Sequence, residues 1–259
     1  MVDLIRLEIA DLVWALGLMA IAIGLSAWQK IGLEGQLTLA TGRTAVQLLV
    51  VGYFLEAVFA LNNPWVVLAV VIAMLTIASI VARNRISKKI PQVLLVVWGS
   101  ILVSSALTLA YTNLLIIRPA TWYEPQYIIP LAGIVLGNAM NGAAIAGERL
   151  VSSINSSQLE IETHLSLGAT PQHAVASYRK EAIKAGMIPT INTMMVVGVV
   201  TLPGIITGQL LSGVRPIDAA AYQMLIMFML ALTTITTTLL VTQGLCRQFF
   251  NQAAQLQKF

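Results

Sequence analysis

The fold of this chain is decided by EIETHLSLGATPQHAVASYRKEAIKAGMIP, residues 160–189, the longest polar stretch in a sequence that is otherwise mostly apolar. The stretch opens with acidic residues and ends in a basic group that includes Arg179 and Lys184. Long apolar segments flank it on both sides. A structured polar insert between two membrane spans is a place where a membrane protein can meet a soluble partner. We therefore expect a docking surface here.

Composition assigns the chain to the membrane. Of its 259 residues, 58% are hydrophobic and only 10% are charged, and the mean hydropathy is +0.83. A soluble domain carries about a quarter charged residues, so we predict an all-α integral membrane protein. Cys246 is the only cysteine, which excludes an intrachain disulfide and a cysteine metal cage. The acids of MVDLIRLEIADLVW, residues 1–14, indicate mature protein rather than a secretory signal peptide, whose first region is basic.

Apolar segments of about 20 residues are long enough to span a bilayer as helices. Seven such segments predict a single membrane domain over residues 1–259, with the polar insert between the fifth and the sixth. Asn62, Asn63 and Pro64 predict a turn, with the proline in the first turn of the third span. The approximate bounds of the spans are 9–28, 37–61, 65–82, 93–117, 127–147, 187–211 and 219–244.

The chain has more Lys and Arg than Asp and Glu, 15 against 11. In a membrane protein the placement of these basic residues indicates orientation rather than nucleic-acid binding. With the N-terminus outside, only Arg6, Arg118 and Arg215 lie on the outer side, and the inner side holds eleven basic residues. This positive-inside bias predicts a cytoplasmic insert and a cytoplasmic C-terminus in a plasma membrane, the bacterial inner membrane. The inner residues are Lys30, Arg83, Arg85, Lys88, Lys89, Arg149, Arg179, Lys180, Lys184, Arg247 and Lys258.

Local signals divide the insert into two helices. Gly168 is suited to end the first, and Thr170 is suited to cap the second, with Pro171 at its first helical position. Residues 171–184 then read as an amphipathic helix, with Ala174, Val175, Tyr178, Ala182 and Ile183 toward one side. A helix of this kind that merely lies on the lipid surface is the alternative.

The insert resembles the cytoplasmic loop of ABC transporter permeases, in which an acidic residue, two small residues and three variable ones precede a glycine. Glu162 and Gly168 have that spacing, although Thr163 and His164 stand in place of the two small residues. In that family the loop forms a coupling helix that sits in a cleft of the ATPase subunit. The resemblance implies a coupling region over residues 148–186. The residues assigned to ATPase coupling are Glu162, Leu167, Gly168, Ala169, Thr170, Pro171 and His173.

Four longer segments resemble the FetB family of membrane permeases: TGRTAVQLLVVGYFLEAVF (41–59), LGNAMNGAAIAGERL (136–150), SLGATPQHAVASYRKEAIKAGMIPTIN (166–192) and VGVVTLPGIITGQLLSG (197–213). Members of that family pair with a separate ATPase, FetA, and are implicated in iron export. Plant relatives are linked to aluminium tolerance and one to UDP-glucose. The resemblance implies a permease subunit, not an enzyme, working as a homodimer with a FetA-like ATPase. ATP and Mg would bind that partner and no cofactor would bind this chain. In agreement, the sequence contains no GxxxxGK[ST] phosphate-binding loop.

Ionisable groups inside spans are candidates for cargo contact. Glu56 is either a carboxylate ligand for a cation or a proton-linked gate. The alternative is an acid at the membrane interface whose hydrogen-bond partners come from a neighbouring helix. Glu56 shares a helix face with Gly42 and Gly52, which suggests packing. Arg43, with Gln47 one turn on, either snorkels to the interface or pairs with Glu148 or an anionic cargo.

Asn138, Asn141 and Glu148 fall on one face of the fifth span, which we expect to point inward, and they offer oxygen ligands toward the cytoplasm. Such ligands suit a hard cation such as ferric iron, whereas interhelical hydrogen bonding is the alternative. Among the carboxylates, we name Glu56 and Glu148 as candidate metal ligands. Met140, together with Met194 and Met195, is either a thioether contact or core filler, and filler is favoured.

Thr201-Leu202-Pro203-Gly204 predicts a kink in the sixth span, and Pro203 and Gly204 form a candidate hinge for alternating access. Thr233, Thr234, Thr236, Thr237 and Thr238 of the seventh span are expected to pack and hydrogen-bond rather than to line a pathway. Two rivals to iron export stay open. One is a permease of the same build for an organic anion such as a nucleotide sugar, in which Arg43 would matter more. The other is a secondary transporter, or a scaffold, without a motor.

Overall fold

The computed structural model describes residues 9–61, 63–90, 92–119, 121–251 and 254–257. In these ranges the only regular elements are helices, apart from two isolated bridges, Val197 to Thr201 and Phe250 to Leu256. The predicted all-α class is therefore confirmed. In chain order the helices are α1 (Ile9–Trp28), α2 (Glu34–Leu61), α3 (Pro64–Ile86), α4 (Val93–Tyr111, continued by the π-helical Thr112–Ile117), α5 (Pro125–Ser156), α6 (Gln158–Ser166), α7 (Pro171–Ala174), α8 (Ala176–Val196), α9 (Gly204–Leu211) and α10 (Pro216–Gln248).

Six of the described helices are long and apolar enough to cross a membrane. They are α1, α2, α3, α4 with its π-helical end, α5 and α10, and they correspond to six of the seven predicted spans. Pro64 is in the first turn of α3, as predicted, and the side chain of Asn63 caps that helix by accepting from the Trp65 N–H at 2.9 Å. The chain is an all-α, multi-pass membrane protein.

The predicted sixth span, residues 187–211, is not a single helix. α8 begins earlier, at Ala176, and ends at Val196, and α9 begins only at Gly204. Gly198 between them has φ +81°, a left-handed conformation that interrupts a right-handed helix. Pro203 has no N–H to offer to a continuing helix. The kink predicted at 201–204 is therefore a complete break.

The chain divides into two compact units, one comprising Met1–Asn62 with Leu211–Gly213 and the other comprising Asn63–Leu210 with Val214–Phe259. In the described part of the first unit, α1 and α2 form a hairpin. Its turn is closed by Ser26, whose hydroxyl donates to the Glu34 carboxylate at 3.0 Å and accepts from the Leu33 N–H at 3.3 Å. Most other side chains of this hairpin are exposed apolar groups, which suits contact with lipid.

In the second unit, α5 and α10 are central, and α3, α4 and α8 pack against them. Small residues let α5 approach its neighbours closely, because its buried face carries Ala139, Ala143 and Ala146, all fully buried. The core continues past the apolar spans into the polar insert. There Ile154, Ile161 and other apolar side chains pack together, namely Ile86, Ile90, Leu150, Val175, Leu245 and Phe249.

The threonines of α10 behave as predicted. Thr233, Thr234, Thr237 and Thr238 are fully buried. The Thr233 hydroxyl donates to the Thr108 hydroxyl at 2.9 Å, and the Ser104 and Thr237 hydroxyls are hydrogen-bonded at 2.6 Å. These bonds join α10 to α4 and satisfy hydroxyl groups that burial removes from water. Thr236 lies at a half-buried position and donates to the Leu232 carbonyl at 2.8 Å.

Candidate functional site

The tip of the insert is the turn between α6 and α7. Gly168 has φ +90°, and its N–H donates to the Leu165 carbonyl at 3.0 Å, which ends α6 as predicted. The Thr170 hydroxyl then accepts from the His173 N–H at 3.3 Å, and Pro171 is at the first position of α7. Both local predictions are confirmed. Only the predicted amphipathic helix over 171–184 is corrected, because Val175, at φ −110° and ψ 6°, separates α7 from α8.

The structure brings all seven residues of the predicted coupling set together at this tip. Five of them are exposed and Ala169 and Pro171 are half-buried, the exposed ones being Glu162, Leu167, Gly168, Thr170 and His173. Leu167 is 81% exposed, an apolar side chain presented on a turn. Beneath the tip, Ile161 and Val175 are almost fully buried in the core. The tip is therefore an exposed surface on a fixed base.

Polar contacts join the insert to the helices that lead toward the membrane. The Tyr178 hydroxyl of α8 forms hydrogen bonds with Ser157 and Glu160 at the α5–α6 junction. The Ser157 bond lowers the pKa of Tyr178, but burial and the negative charges of Glu160 and Glu181 outweigh it and raise the pKa above its ordinary value. Glu181 of α8 also faces Arg149 of α5 at 3.7 Å.

On its other side, α8 is fastened to α10. The Arg179 guanidinium donates from Nε to the Thr242 hydroxyl at 3.3 Å and from Nη2 to the Leu239 carbonyl at 3.3 Å. Both bonds hold the start of α8 beside the last three turns of α10. Together with the Tyr178 and Glu181 contacts, they link α8 to both central helices of the second unit.

Asn138 lies at the junction of α5, α8 and α10. Its side-chain Nδ2 donates to the Thr190 hydroxyl at 3.2 Å, to the Leu230 carbonyl at 3.4 Å and to the Thr234 hydroxyl. The Thr190 and Thr234 hydroxyls are also hydrogen-bonded to each other at 3.3 Å. The interhelical bonding that was the alternative for Asn138 is therefore present, and its amide oxygen takes part in none of these bonds.

Next to this junction, α5 and α8 cross at Gly142 and Gly186. A Cβ atom on Gly186 would lie 2.9 Å from the Gly142 carbonyl oxygen and 2.8 Å from Cγ2 of Thr238. Real Cβ atoms do not come so close, so only glycine allows this approach. Sequence analysis missed this crossing, although small residues four apart on each helix, Gly142 with Ala146 and Ala182 with Gly186, were a visible signal.

The other predicted pathway residues of α5 are not joined to the junction by any hydrogen bond among the described residues. Asn141 and Glu148 are exposed on one open strip of the helix. The prediction that they point inward together with Asn138 is therefore wrong, because the neighbouring helices cover Asn138 and leave this strip open. On α8, Ile188 (53%) and Met195 (76%) are also exposed. Met140, in contrast, is half-buried and packs against the core, as expected of a filler.

The predicted cargo residues of the first unit are all exposed on α2: Arg43, Gln47 and Glu56. A Cβ atom on Gly42 or Gly52, which share the face of Glu56, would meet nothing within 4 Å. In the described ranges, no group of three or more His, Cys, Asp or Glu residues is close enough to hold a metal ion. The assignment of Glu56 and Glu148 as metal ligands stays a prediction.

The candidate hinge is at the break described above. Pro203 is half-buried just before α9, and Gly204 is the first residue of that helix. The predicted interruption of the helix is confirmed. A hinge motion at these residues stays a prediction.

The family described as "Uncharacterised protein family (UPF0014)" matches residues 9–250. The chain belongs to this family. Among its relatives, a UPF0014 membrane protein of Synechocystis, slr1647, is 54% identical and covers 98% of both chains. The probable iron export permease protein FetB of Escherichia coli is 34% identical over 95% of this chain and 93% of its own. The protein ALUMINUM SENSITIVE 3 of Arabidopsis thaliana is 32% identical over 94% of this chain and 88% of its own. No solved structure matches the chain. The resemblance to FetB proteins is thus confirmed for this UPF0014 member.

Proposed function

We propose that this UPF0014 protein is the permease subunit of an ATP-driven transporter that exports iron or a similar metal ion. A separate ATPase subunit, like FetA, would bind ATP and Mg and hydrolyse the nucleotide. The relative in Escherichia coli that is named as a probable iron export permease supports both the class and the cargo. We further propose the orientation that positive-inside bias indicates, with the insert and the C-terminus in the bacterial cytoplasm.

The proposal that a separate ATPase drives this chain rests on one observation, the exposed tip at the α6–α7 turn. Its apolar Leu167 is 81% exposed while its base is buried in the core. A soluble partner that covers this leucine gains the free energy of apolar burial. Because the base is packed, a displacement of the tip moves the helices to which it is joined rather than a loose loop. These are the properties that docking to an ATPase requires.

α8 is the element through which such a displacement would reach the membrane. It runs unbroken for 21 residues, which corresponds to about 32 Å of helix. Near its start it is held by Tyr178 and Arg179, and further along it crosses α5 at Gly186 and meets the Asn138 junction at Thr190. Rocking of α8 against α5 and α10 is the motion that we propose for alternating access.

The open strip of α5 is our proposed cargo path. Asn141 and Glu148 present an amide and a carboxylate there, and oxygen ligands suit hard or borderline cations. One chain supplies too few ligands along this strip for tight coordination. A permease homodimer with the two strips facing each other would double the number. We therefore propose that the cation passes between two copies of the chain.

The test is ATP-dependent accumulation of radioactive iron in inside-out vesicles that hold the chain with its ATPase. In this geometry export appears as uptake. Glu148→Gln is expected to reduce uptake at least tenfold while ATPase activity persists. Glu124→Gln, which changes a carboxylate at the opposite end of α5, is the matched control and is expected to leave uptake unchanged. Vesicles that hydrolyse ATP but accumulate no iron would refute the cargo assignment, and nucleotide-sugar uptake in the same vesicles would replace it.

A further inference from the structure

A groove of about 260 Å³ lies between the first half of α8 and the last part of α10. We call it the basic groove. Its lining is half basic and half apolar, and consists of Ala176, Arg179, Lys180, Ile183, Lys184 and Leu239. No acidic residue of the described chain lines it. The groove therefore places three positive charges beside an apolar wall.

The charges of the two lysines are not balanced within the described ranges, where neither Lys180 nor Lys184 forms an ion pair. The two are four residues apart on one helix, a spacing at which like charges destabilise the helix. Their neighbour Glu181 faces Arg149 of α5 at 3.7 Å instead. A ligand that brings negative charge into the groove would relieve this repulsion.

Arg179 is held in a fixed position at the groove. Its half-buried side chain donates to the Thr242 hydroxyl and to the Leu239 carbonyl of α10, each at 3.3 Å. These two bonds use two of the five N–H groups of a guanidinium. The planar fork of N–H groups matches the geometry of phosphate oxygens. A phosphate in the groove would therefore meet a donor that is already oriented.

The groove lies where the exposed side chains change from polar to apolar. On α8, exposed Lys184 is followed one turn later by Ile188, which is 53% exposed. On α10, which runs antiparallel to α8 here, exposed Leu239 is followed one turn later by exposed Gln243. On each helix the change takes place within about 6 Å along the axis. This level is typical of the headgroup region, between the bilayer core and water.

We infer that the basic groove binds the headgroup of an anionic phospholipid in the membrane leaflet on the side of the insert. Arg179, Lys180 and Lys184 would contact the phosphate oxygens. The acyl chains would lie along the apolar side chains of Ile188 and Leu239. Basic pockets between membrane helices bind anionic headgroups in this way. A free phosphate would use the charges but leave the apolar wall uncovered, so the lipid accounts for more of the groove.

This inference goes beyond the proposed function and requires neither iron nor an ATPase. Native mass spectrometry of the detergent-purified full chain measures the binding of single lipid molecules. Phosphatidylglycerol is expected to bind at least tenfold more tightly than phosphatidylcholine, whose headgroup has no net charge. Each basic residue near an anionic lipid surface strengthens the attraction about fivefold. Lys180→Gln combined with Lys184→Gln is therefore expected to weaken phosphatidylglycerol binding about 30-fold.

The matched control is Lys88→Gln combined with Lys89→Gln. It removes the same charge from two exposed lysines outside the groove and is expected to change phosphatidylglycerol binding by less than about twofold. Equal weakening by the two double variants would overturn the inference, because the attraction would then be spread over the whole basic surface. Equal affinity for the two lipids would overturn it as well.

Two further measurements distinguish other occupants of the groove. Inorganic phosphate at millimolar concentration is expected not to displace phosphatidylglycerol, and displacement would show a site for free anions instead. Binding of the purified ATPase to the permease is measured in lipid-free detergent. If Lys180→Gln combined with Lys184→Gln weakens this binding and leaves phosphatidylglycerol binding unchanged, the groove is a protein-docking surface and the inference is refuted.

Discussion

Replacing Leu167 by alanine is the sharpest test of docking at the α6–α7 turn. Full burial of a leucine side chain is worth about 1.5–3 kcal/mol. Leu167 is 81% exposed in the free chain, so a partner that covers it completely gains about 1.2–2.4 kcal/mol from this side chain. Alanine retains part of that area, and we expect a loss of roughly 1–2 kcal/mol, which weakens ATPase binding about 5- to 30-fold. Folding is expected to be unaffected, because the side chain contributes little to the core.

The chain offers a matched control in Leu159. It is a leucine of the same helix with the same exposure, 81%, but it lies at the start of α6 rather than at the tip. The assay is titration of the purified ATPase onto the permease immobilised in lipid nanodiscs, with the wild type, Leu167→Ala and Leu159→Ala measured side by side. Equal weakening by both variants, or an unchanged Kd for Leu167→Ala, would show that the turn does not dock the ATPase.

Three further predictions concern the fold around the site. Gly186→Ala is expected to lower the free energy of unfolding by about 1–3 kcal/mol, because its Cβ would lie 2.9 Å from a backbone oxygen. Gly137→Ala is the control, since its Cβ would meet nothing within 4 Å, and it is expected to leave the free energy of unfolding unchanged. Denaturant titration measures both variants. Thr170→Ala is expected to cost about 0.5–2 kcal/mol in the same titration through loss of its cap, and Thr170→Ser should recover most of it. The pKa of Tyr178 is raised in the folded state. Its contribution to folding stability is therefore present below the unfolded pKa of about 10 and is lost as pH rises through the folded pKa. The Tm of Tyr178→Phe is expected to fall less steeply than that of the wild type from pH 8 to 11, and parallel Tm curves would contradict the raised pKa.

Local features of the site could be predicted because they depend on residues close in sequence. A glycine at the end of a helix and a threonine before a proline determine the turn from Gly168 to Pro171 whatever surrounds it. The position of Asn141 and Glu148 on one face likewise follows from helical periodicity, but their exposure does not, because it depends on which faces the other helices cover. The neighbours of Asn138 could not be predicted, since Thr190 and Thr234 are 52 and 96 residues away along the chain. Their contact depends on which faces of α5, α8 and α10 meet.

Sequence by itself determined the membrane class, six of the spans and the local geometry of the insert, because hydropathy, span length and capping are properties of short segments. Tertiary structure alone decided that α5 and α8 cross at Gly142 and Gly186, and that the predicted sixth span breaks around a pocket. The physical reason is that these features depend on close packing between helices distant in sequence, where a single Cβ atom or one missing hydrogen bond selects the arrangement.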